Sequence, residues 1–203
     1  MRITGGTAAR RILKVPKGLD VRPTPDLVKQ AVFNSLGPRV EGAHVLELFA
    51  GSGALSLECL SRGAASVVCV EKSSRHAEFI RANAEAAGYA GRLQVRIQDV
   101  FSALAQWGRD GTRFDLALAD PPYGEKNGNR RSTSLAQRLL DNPDLPKLLG
   151  SDGLLVLGHT KRDTLSMEAP WRLARQLKHG DTIMEFLIAT PVSPPDPLAG
   201  SGP

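Results

Sequence analysis

The chain has 203 residues, 41% of them hydrophobic and 23% charged, with two cysteines and a net charge of +5. This composition fits one globular domain that can bury its own core, and it excludes collagen-like, disordered and disulfide-stapled classes. No apolar run reaches the roughly 18 residues of a membrane helix, and the basic stretch Met1 to Gly18 lacks the apolar centre of a secretory signal, so the expected location is the cytoplasm. Over residues 1–39, eight basic side chains face two acidic ones, whereas the rest of the chain holds 18 basic and 19 acidic groups. The excess positive charge therefore sits at the N-terminus, which suits a polyanion such as nucleic acid but equally a solvated basic face.

Arg2 to Thr4 and Arg11 to Val15 are extended segments on either side of Gly5-Gly6, which predicts a basic hairpin. Arg22-Pro23-Thr24-Pro25 then interrupts the chain, with Thr24 expected as a helix N-cap and Pro25 as the first helical residue. Leu27, Val28, Ala31, Val32 and Leu36 recur at helical spacing up to Gly37-Pro38. From Ala43 onward short apolar strands alternate with helices. Strands are expected at 45–49, 66–71, 93–97, 115–119, 154–158 and 184–189, and helices at 54–62, 73–87, 101–107 and 134–140. This order predicts an α/β, Rossmann-like fold, a mostly parallel sheet with helices on both faces. Residues 124–134 read as a polar loop. The expected organisation is a basic hairpin-and-helix extension over 1–39, a catalytic domain over 40–190 and a disordered tail over 191–203, rich in Pro, Gly and Ser.

In open α/β sheets, ligands sit beyond the carboxyl ends of the strands. The strand at 45–49 runs into Ala50-Gly51-Ser52-Gly53, whose glycines permit a tight turn close to a ligand. A dinucleotide fingerprint would carry a third glycine at position 56, where Ser56 stands, which argues against a pyrophosphate and a nicotinamide oxidoreductase. Glu71 ends the second strand 18 residues after Gly53, near the offset at which a carboxylate meets ribose hydroxyls, and Asp99 follows the third strand, placed to accept from an adenine amine. Glu47, Glu71 and Asp99 thus mark one sheet edge as an adenosine site. Asp120-Pro121-Pro122-Tyr123 ends the fourth strand. Its prolines remove two N–H donors and leave carbonyls, beside a carboxylate and an aromatic face. Such a turn is suited to an exocyclic NH2 group on a flat ring. The four histidines are scattered, and Trp107 and Trp171 read as core residues.

Glu47-Leu-Phe-Ala-Gly-Ser-Gly53 and Asp120-Pro-Pro-Tyr123 resemble the cofactor loop and catalytic tetrapeptide of AdoMet-dependent methyltransferases acting on exocyclic amines. Together with Arg2-Ile-Thr-Gly-Gly6, Arg10-Arg11, Arg22-Pro-Thr24, Phe33-Asn34 and Leu60-Ser-Arg-Gly-Ala64, they are similar to the bacterial 16S ribosomal RNA guanine-N2 methyltransferase family over roughly residues 1 to 190. The resemblance implies a seven-stranded sheet whose last strand is antiparallel, S-adenosylmethionine as cofactor, S-adenosylhomocysteine as product and 16S rRNA or the small-subunit particle as partner of a monomer. It implies that the helix carrying Asn34 closes over the cofactor. Glu47, Phe49, Ala50 and the Gly51 and Gly53 turn would hold the methionine part, Glu71 with Lys72 the ribose, and Asp99 with the Val100 backbone the adenine. Asp120, Pro121, Pro122 and Tyr123 would hold the base, and Arg2, Arg10, Arg11, Lys14, Lys17, Arg22, Arg130 and Arg131 the phosphates. Glu47 stands where the family often has Asp, and Ser56 where Gly is common. The competing readings are a DNA adenine-N6 methyltransferase, disfavoured by the shortness of the segments outside the sheet, and a non-catalytic AdoMet- or RNA-binding assembly factor, disfavoured by Asp120 and Tyr123. A protein-glutamine methyltransferase would more typically carry Asn at position 120.

Overall fold

The apolar runs between Ala43 and Ala189 form one seven-stranded sheet in the computed structural model, which describes residues 1–15, 24–122 and 130–190. In chain order the elements are α1 (Asp26–Leu36), β1 (His44–Leu48), α2 (Ala54–Ser61), β2 (Ser66–Glu71), α3 (Ser74–Ala86), β3 (Leu93–Ile97), α4 (Val100–Asp110), β4 (Phe114–Ala119), α5 (Leu135–Leu140), β5 (Leu149–Thr160), β6 (Trp171–His179) and β7 (Thr182–Ala189). The expected tail, Tyr123 and most of the expected polar loop lie outside the described residues.

The sheet order is β3-β2-β1-β4-β5-β7-β6. β1 to β5 run parallel, and β7 lies antiparallel between β5 and β6. The chain winds outward from β1 through β2 to β3, then returns to start β4 on the other side of β1. That reversal opens a crevice beyond the carboxyl ends of β1 and β4. Alternation along the strands divides the core. Val45, Leu116, Leu118, Val156 and Phe186 pack on one face with α1, α2 and the N-terminal residues Ile3 and Leu13. Leu46, Leu48, Ala117, Leu155 and Leu157 pack on the other with α4 and α5.

Side-chain caps start three helices where the sequence supplies them. Ser73 accepts from the His76 N–H, Asp99 from Phe101 and Ser102, and Ser134 from Gln137. Each such cap contributes about 1 kcal/mol. Three expectations need correction. Thr24 is not the cap of α1: the cap position is Pro25, without a side-chain cap bond. β6 escaped the pattern search because Trp-Arg-Leu-Ala-Arg-Gln-Leu-Lys-His carries three cations and no clean alternation. As an edge strand with mostly exposed side chains, it needs little apolar content. β5 is also longer than expected: after the buried Leu149, Gly150 to Asp152 are exposed and carry no apolar side chain.

Candidate active site

The carboxyl ends of β1, β2, β3 and β4 border a cleft of about 610 Å³, within the range of small-molecule sites. On its β1–β3 side the chain folds its acids onto its own turns. Glu71 Oε2 accepts from the Gly51 N–H at 2.7 Å and Oε1 from the Ser73 N–H at 2.8 Å, tying the turn after β1 to the turn after β2. His76 Nδ1 stands 3.3 Å from Oε1. Asp99 spends Oδ1 on the Phe101 and Ser102 N–H groups, which leaves Oδ2 for a ligand. Phe49 adopts a left-handed conformation (φ 58°), which is strained for a non-glycine residue, and its ring meets Phe101 edge-on at 6.3 Å. Gly53 is also left-handed, and a Cβ there would stand 2.9 Å from Ile80, so only glycine fits this turn.

Of the expected cofactor residues, Phe49, Gly51, Glu71, Lys72, Asp99 and Val100 line the cleft. Ala50 and Gly53 form the turn behind it, the Gly53 N–H donating to the Ala50 carbonyl at 2.7 Å. Two expectations are not met in place. Asn34 is exposed on α1 and lies off the cleft wall. Glu47 is buried under the turn, where it accepts from both the N–H and the hydroxyl of Ser56 at the start of α2. It sits two residues before Phe49, and strand alternation aims it at the α2 face beneath the turn. Burial pushes its carboxyl up to about 8. The Ser56 bonds oppose that rise, and the nearby Glu71 and Asp120 add to it. Both cysteines are buried and their thiols pushed up by burial, so neither is a nucleophile.

On the β4 side, Asp120, Pro121 and Pro122 line the cleft. Asp120 Oδ2 accepts from the Thr24 hydroxyl at 2.6 Å. Tyr123 lies outside the described residues. Leu135 and Arg138 of α5 complete the wall, with the Arg138 guanidinium 4.1 Å from the centre of the Phe101 ring. Arg138, Leu135, His76 and Phe101 were missed in the sequence because each sits on an amphipathic helix, and only packing shows which face meets the cleft.

Among the described residues, the basic candidates fall at several separate places. The predicted hairpin forms, bridged at Arg2 and Ile12. Its turn docks on the far ends of α2 and α3, the Ala8 N–H donating to Ser61 Oγ and Arg11 to the Ala86 carbonyl. Those helices start at the cleft edge, so at 1.5 Å per residue their ends lie roughly 12 and 19 Å away from it. Arg10 and Arg11 therefore occupy the opposite end of the sheet. Lys14 pairs through its backbone with Asn83, partway along α3. Arg2 is paired with Asp26, and Arg131 with Asp141 and Glu168. Arg130 is exposed, and Lys17 and Arg22 lie outside the described residues. Lys29, counted in the N-terminal charge, is fully buried, its ammonium held by Asp26 and the Arg2 carbonyl.

Residues 1–188 match the family described as Conserved hypothetical protein 95. The chain belongs to this family. It is 33% identical over 161 residues to the Bacillus subtilis protein named "Putative rRNA methyltransferase YlbH", covering 79% of this chain and 83% of that one. It is 39% identical over 123 residues to "Ribosomal RNA small subunit methyltransferase D" of Escherichia coli, covering 61% of this chain and 60% of that protein, so the match spans less than two thirds of the relative. Among solved structures, "Putative methyltransferase yhhF from Escherichia coli" superimposes with a TM-score of 0.74 at 31% identity, covering 94% of this chain and 98% of that one. The fold is the AdoMet-dependent methyltransferase fold, a mostly parallel seven-stranded sheet with an antiparallel strand near one end. The cleft fits that cofactor. It offers an aromatic wall at Phe49 and Phe101, an uncommitted oxygen on Asp99, and a Glu71 carboxylate whose oxygens each retain a further lone pair.

Proposed function

We propose that this family member transfers a methyl group from S-adenosylmethionine to the exocyclic N2 amine of a guanine in small-subunit ribosomal RNA. The observation that carries the reading is that Asp120 and Pro121 open into the same cleft as Glu71 and Asp99, so that an amine acceptor and an adenosine group would meet in one space. The names of the relatives support RNA of the ribosome as the substrate class. The exocyclic amine follows from Asp120-Pro121-Pro122-Tyr123.

In this reading Glu71 receives the ribose hydroxyls and Asp99 the adenine amine. The turn at Gly51 and Gly53, held up from below by the bond between Glu47 and Ser56, supports the methionine part. The cofactor supplies a methyl already activated on a sulfonium, so no covalent enzyme intermediate is needed. Guanine N2 is a poor nucleophile because its lone pair is delocalised into the ring. The Asp120 carboxylate and the Pro121 carbonyl accept its two N–H bonds and stabilise the nitrogen as it becomes tetrahedral. Asp120 then takes the proton, directly or through water. Tyr123 stacks on the base and aims N2 along the transfer line. The base must leave its stack to enter, so an unpaired loop nucleotide is the favoured target. The protein acts as a monomer in the cytoplasm, where ribosomal RNA is. No helix among the described residues is long and apolar enough to cross a membrane.

The test is transfer from labelled S-adenosylmethionine to unmethylated small-subunit particles, naked small-subunit RNA and DNA, followed by nucleoside mass spectrometry. N2-methylguanosine in RNA is expected. N6-methyladenine in DNA overturns the substrate, and cofactor binding without product on any acceptor overturns the catalytic reading.

A further inference from the structure

We propose that Thr24 and Gly158 are positioning residues that together set the orientation of the Asp120 carboxylate. The inference rests on the methyl-transfer reading above and names what makes its central acid competent.

Asp120 follows the last residue of β4, and alternation along that strand places its side chain on the α1 face, as it does Leu116 and Leu118. A carboxylate at a strand end is ordinarily held by the N–H groups that follow it, as Asp99 is by Phe101 and Ser102. The two residues after Asp120 are prolines, which have no N–H to offer.

Two residues far away in sequence supply fixed contacts. The Thr24 hydroxyl donates to Oδ2 at 2.6 Å across 96 positions of chain. Gly158 stands next to Asp120 on β5, one step beyond the Ala119–Leu157 pair. A Cβ at 158 would lie 2.5 Å from Asp120 Oδ1 and 3.1 Å from its Cγ. The carboxyl group thus occupies the space of the missing side chain, and Gly158 carries no positive φ that would explain a glycine otherwise.

The placement of Thr24 also departs from a local rule. A Thr-Pro pair before an amphipathic helix commonly caps it, yet α1 has no side-chain cap bond. The hydroxyl is directed at Asp120 instead, and Pro25 together with the buried Val28, Val32 and Phe33 of α1 fixes its position. Local rules are broken at functional sites when another contact takes over the group. An oxygen of a carboxylate accepts two hydrogen bonds, so Oδ2 can hold both the Thr24 hydroxyl and an amine N–H.

The experiment uses the full chain as Thr24→Val, Thr24→Ser and Gly158→Ala, with small-subunit particles as acceptor and thermal melts to confirm folding. Thr24→Val is expected to lower kcat by about 10- to 100-fold, the scale of a misplacement near 1 Å, with KM for S-adenosylmethionine unchanged. Thr24→Ser keeps the hydroxyl and stays within about threefold of wild type, whereas Gly158→Ala follows Thr24→Val because its Cβ displaces the carboxylate. Wild-type kcat in Thr24→Val overturns the proposal, and so does a Ser variant as impaired as the Val variant. Crystals of Thr24→Val give a readout that needs no acceptor: a turned Asp120 side chain supports the proposal, and the wild-type rotamer overturns it. A wild-type enzyme inactive on RNA would defeat the functional reading, and the crystallographic result would still decide the positioning.

Discussion

On the side of the cleft built by β1, β2 and β3, each acid that lines it is held by its own neighbourhood. Asp99 bonds to N–H groups two and three residues on, and Glu71 to Ser73 and to the adjoining Gly51 turn. On the side built by β4 and β5, Asp120 meets the Thr24 hydroxyl and fills the space left by Gly158. The first arrangement joins residues no more than 20 positions apart, within neighbouring strand–turn–helix units. The second exists only after α1, β4 and β5 have packed. A cofactor side of the first kind can bind while the acceptor side is still being set, so the two halves should fail separately.

The largest effect should come from the acceptor half. Asp120→Ala is expected to reduce single-turnover methyl transfer by about 10²- to 10³-fold while calorimetric affinity for S-adenosylmethionine stays near wild type. Parallel loss of both would mean that the halves are one unit. The converse change is Glu71→Ala, which removes a charged hydrogen-bond partner worth roughly 1.5–3 kcal/mol and should weaken cofactor affinity about 10- to 100-fold. Turnover at saturating cofactor should fall much less. Wild-type affinity would remove Glu71 from the cofactor site.

Glu47 sharpens the comparison, because it belongs to the cofactor half yet faces the interior. Its folded carboxyl titrates at about 8 against an ordinary 4.5. Between those values the folded state keeps a proton that the unfolded chain gives up. The contribution of Glu47 to stability is therefore largest below 4.5 and declines as pH rises toward 8, by at most about 1.4 kcal/mol per pH unit. Glu47→Gln should remove that decline in denaturant melts at pH 5, 6.5 and 8, with little change in transfer at pH 7. A variant that keeps the wild-type slope would show Glu47 to be ionised in the fold. The smallest effect is expected at the far end of the sheet. Neutralising Arg10 and Arg11 together should reduce the salt slope of particle binding by roughly 1.5, and leave affinity for a short target-loop RNA unchanged. An unchanged slope on the whole particle would exclude the hairpin from the RNA contact.

Much of the fold was legible. Six of the seven strands and the helices between them could be placed from the spacing of their apolar residues. β6 was not, because an exposed edge strand rich in arginine and lysine gives no alternation to detect. In the site, the glycine turn, Glu71, Asp99 and Asp120 could be located from their places at strand ends. The α5 wall could not, since Leu135 and Arg138 look like ordinary helix residues until α5 is packed. For the basic N-terminus, composition registers charge but not that Lys29 is buried or that Arg11 is docked on α3.

The sequence by itself determined the mostly parallel sheet, the edge at which the cleft lies and the identity of the acids there, because strand periodicity and turn geometry act within a few residues. Only the tertiary structure decided that Glu47 faces inward, that the hairpin turn lies at the opposite end from the cleft, and that Asp120 meets Thr24 over a glycine. Those outcomes depend on the register of strands and the seating of helices brought together from distant parts of the chain, and no short stretch of residues records them.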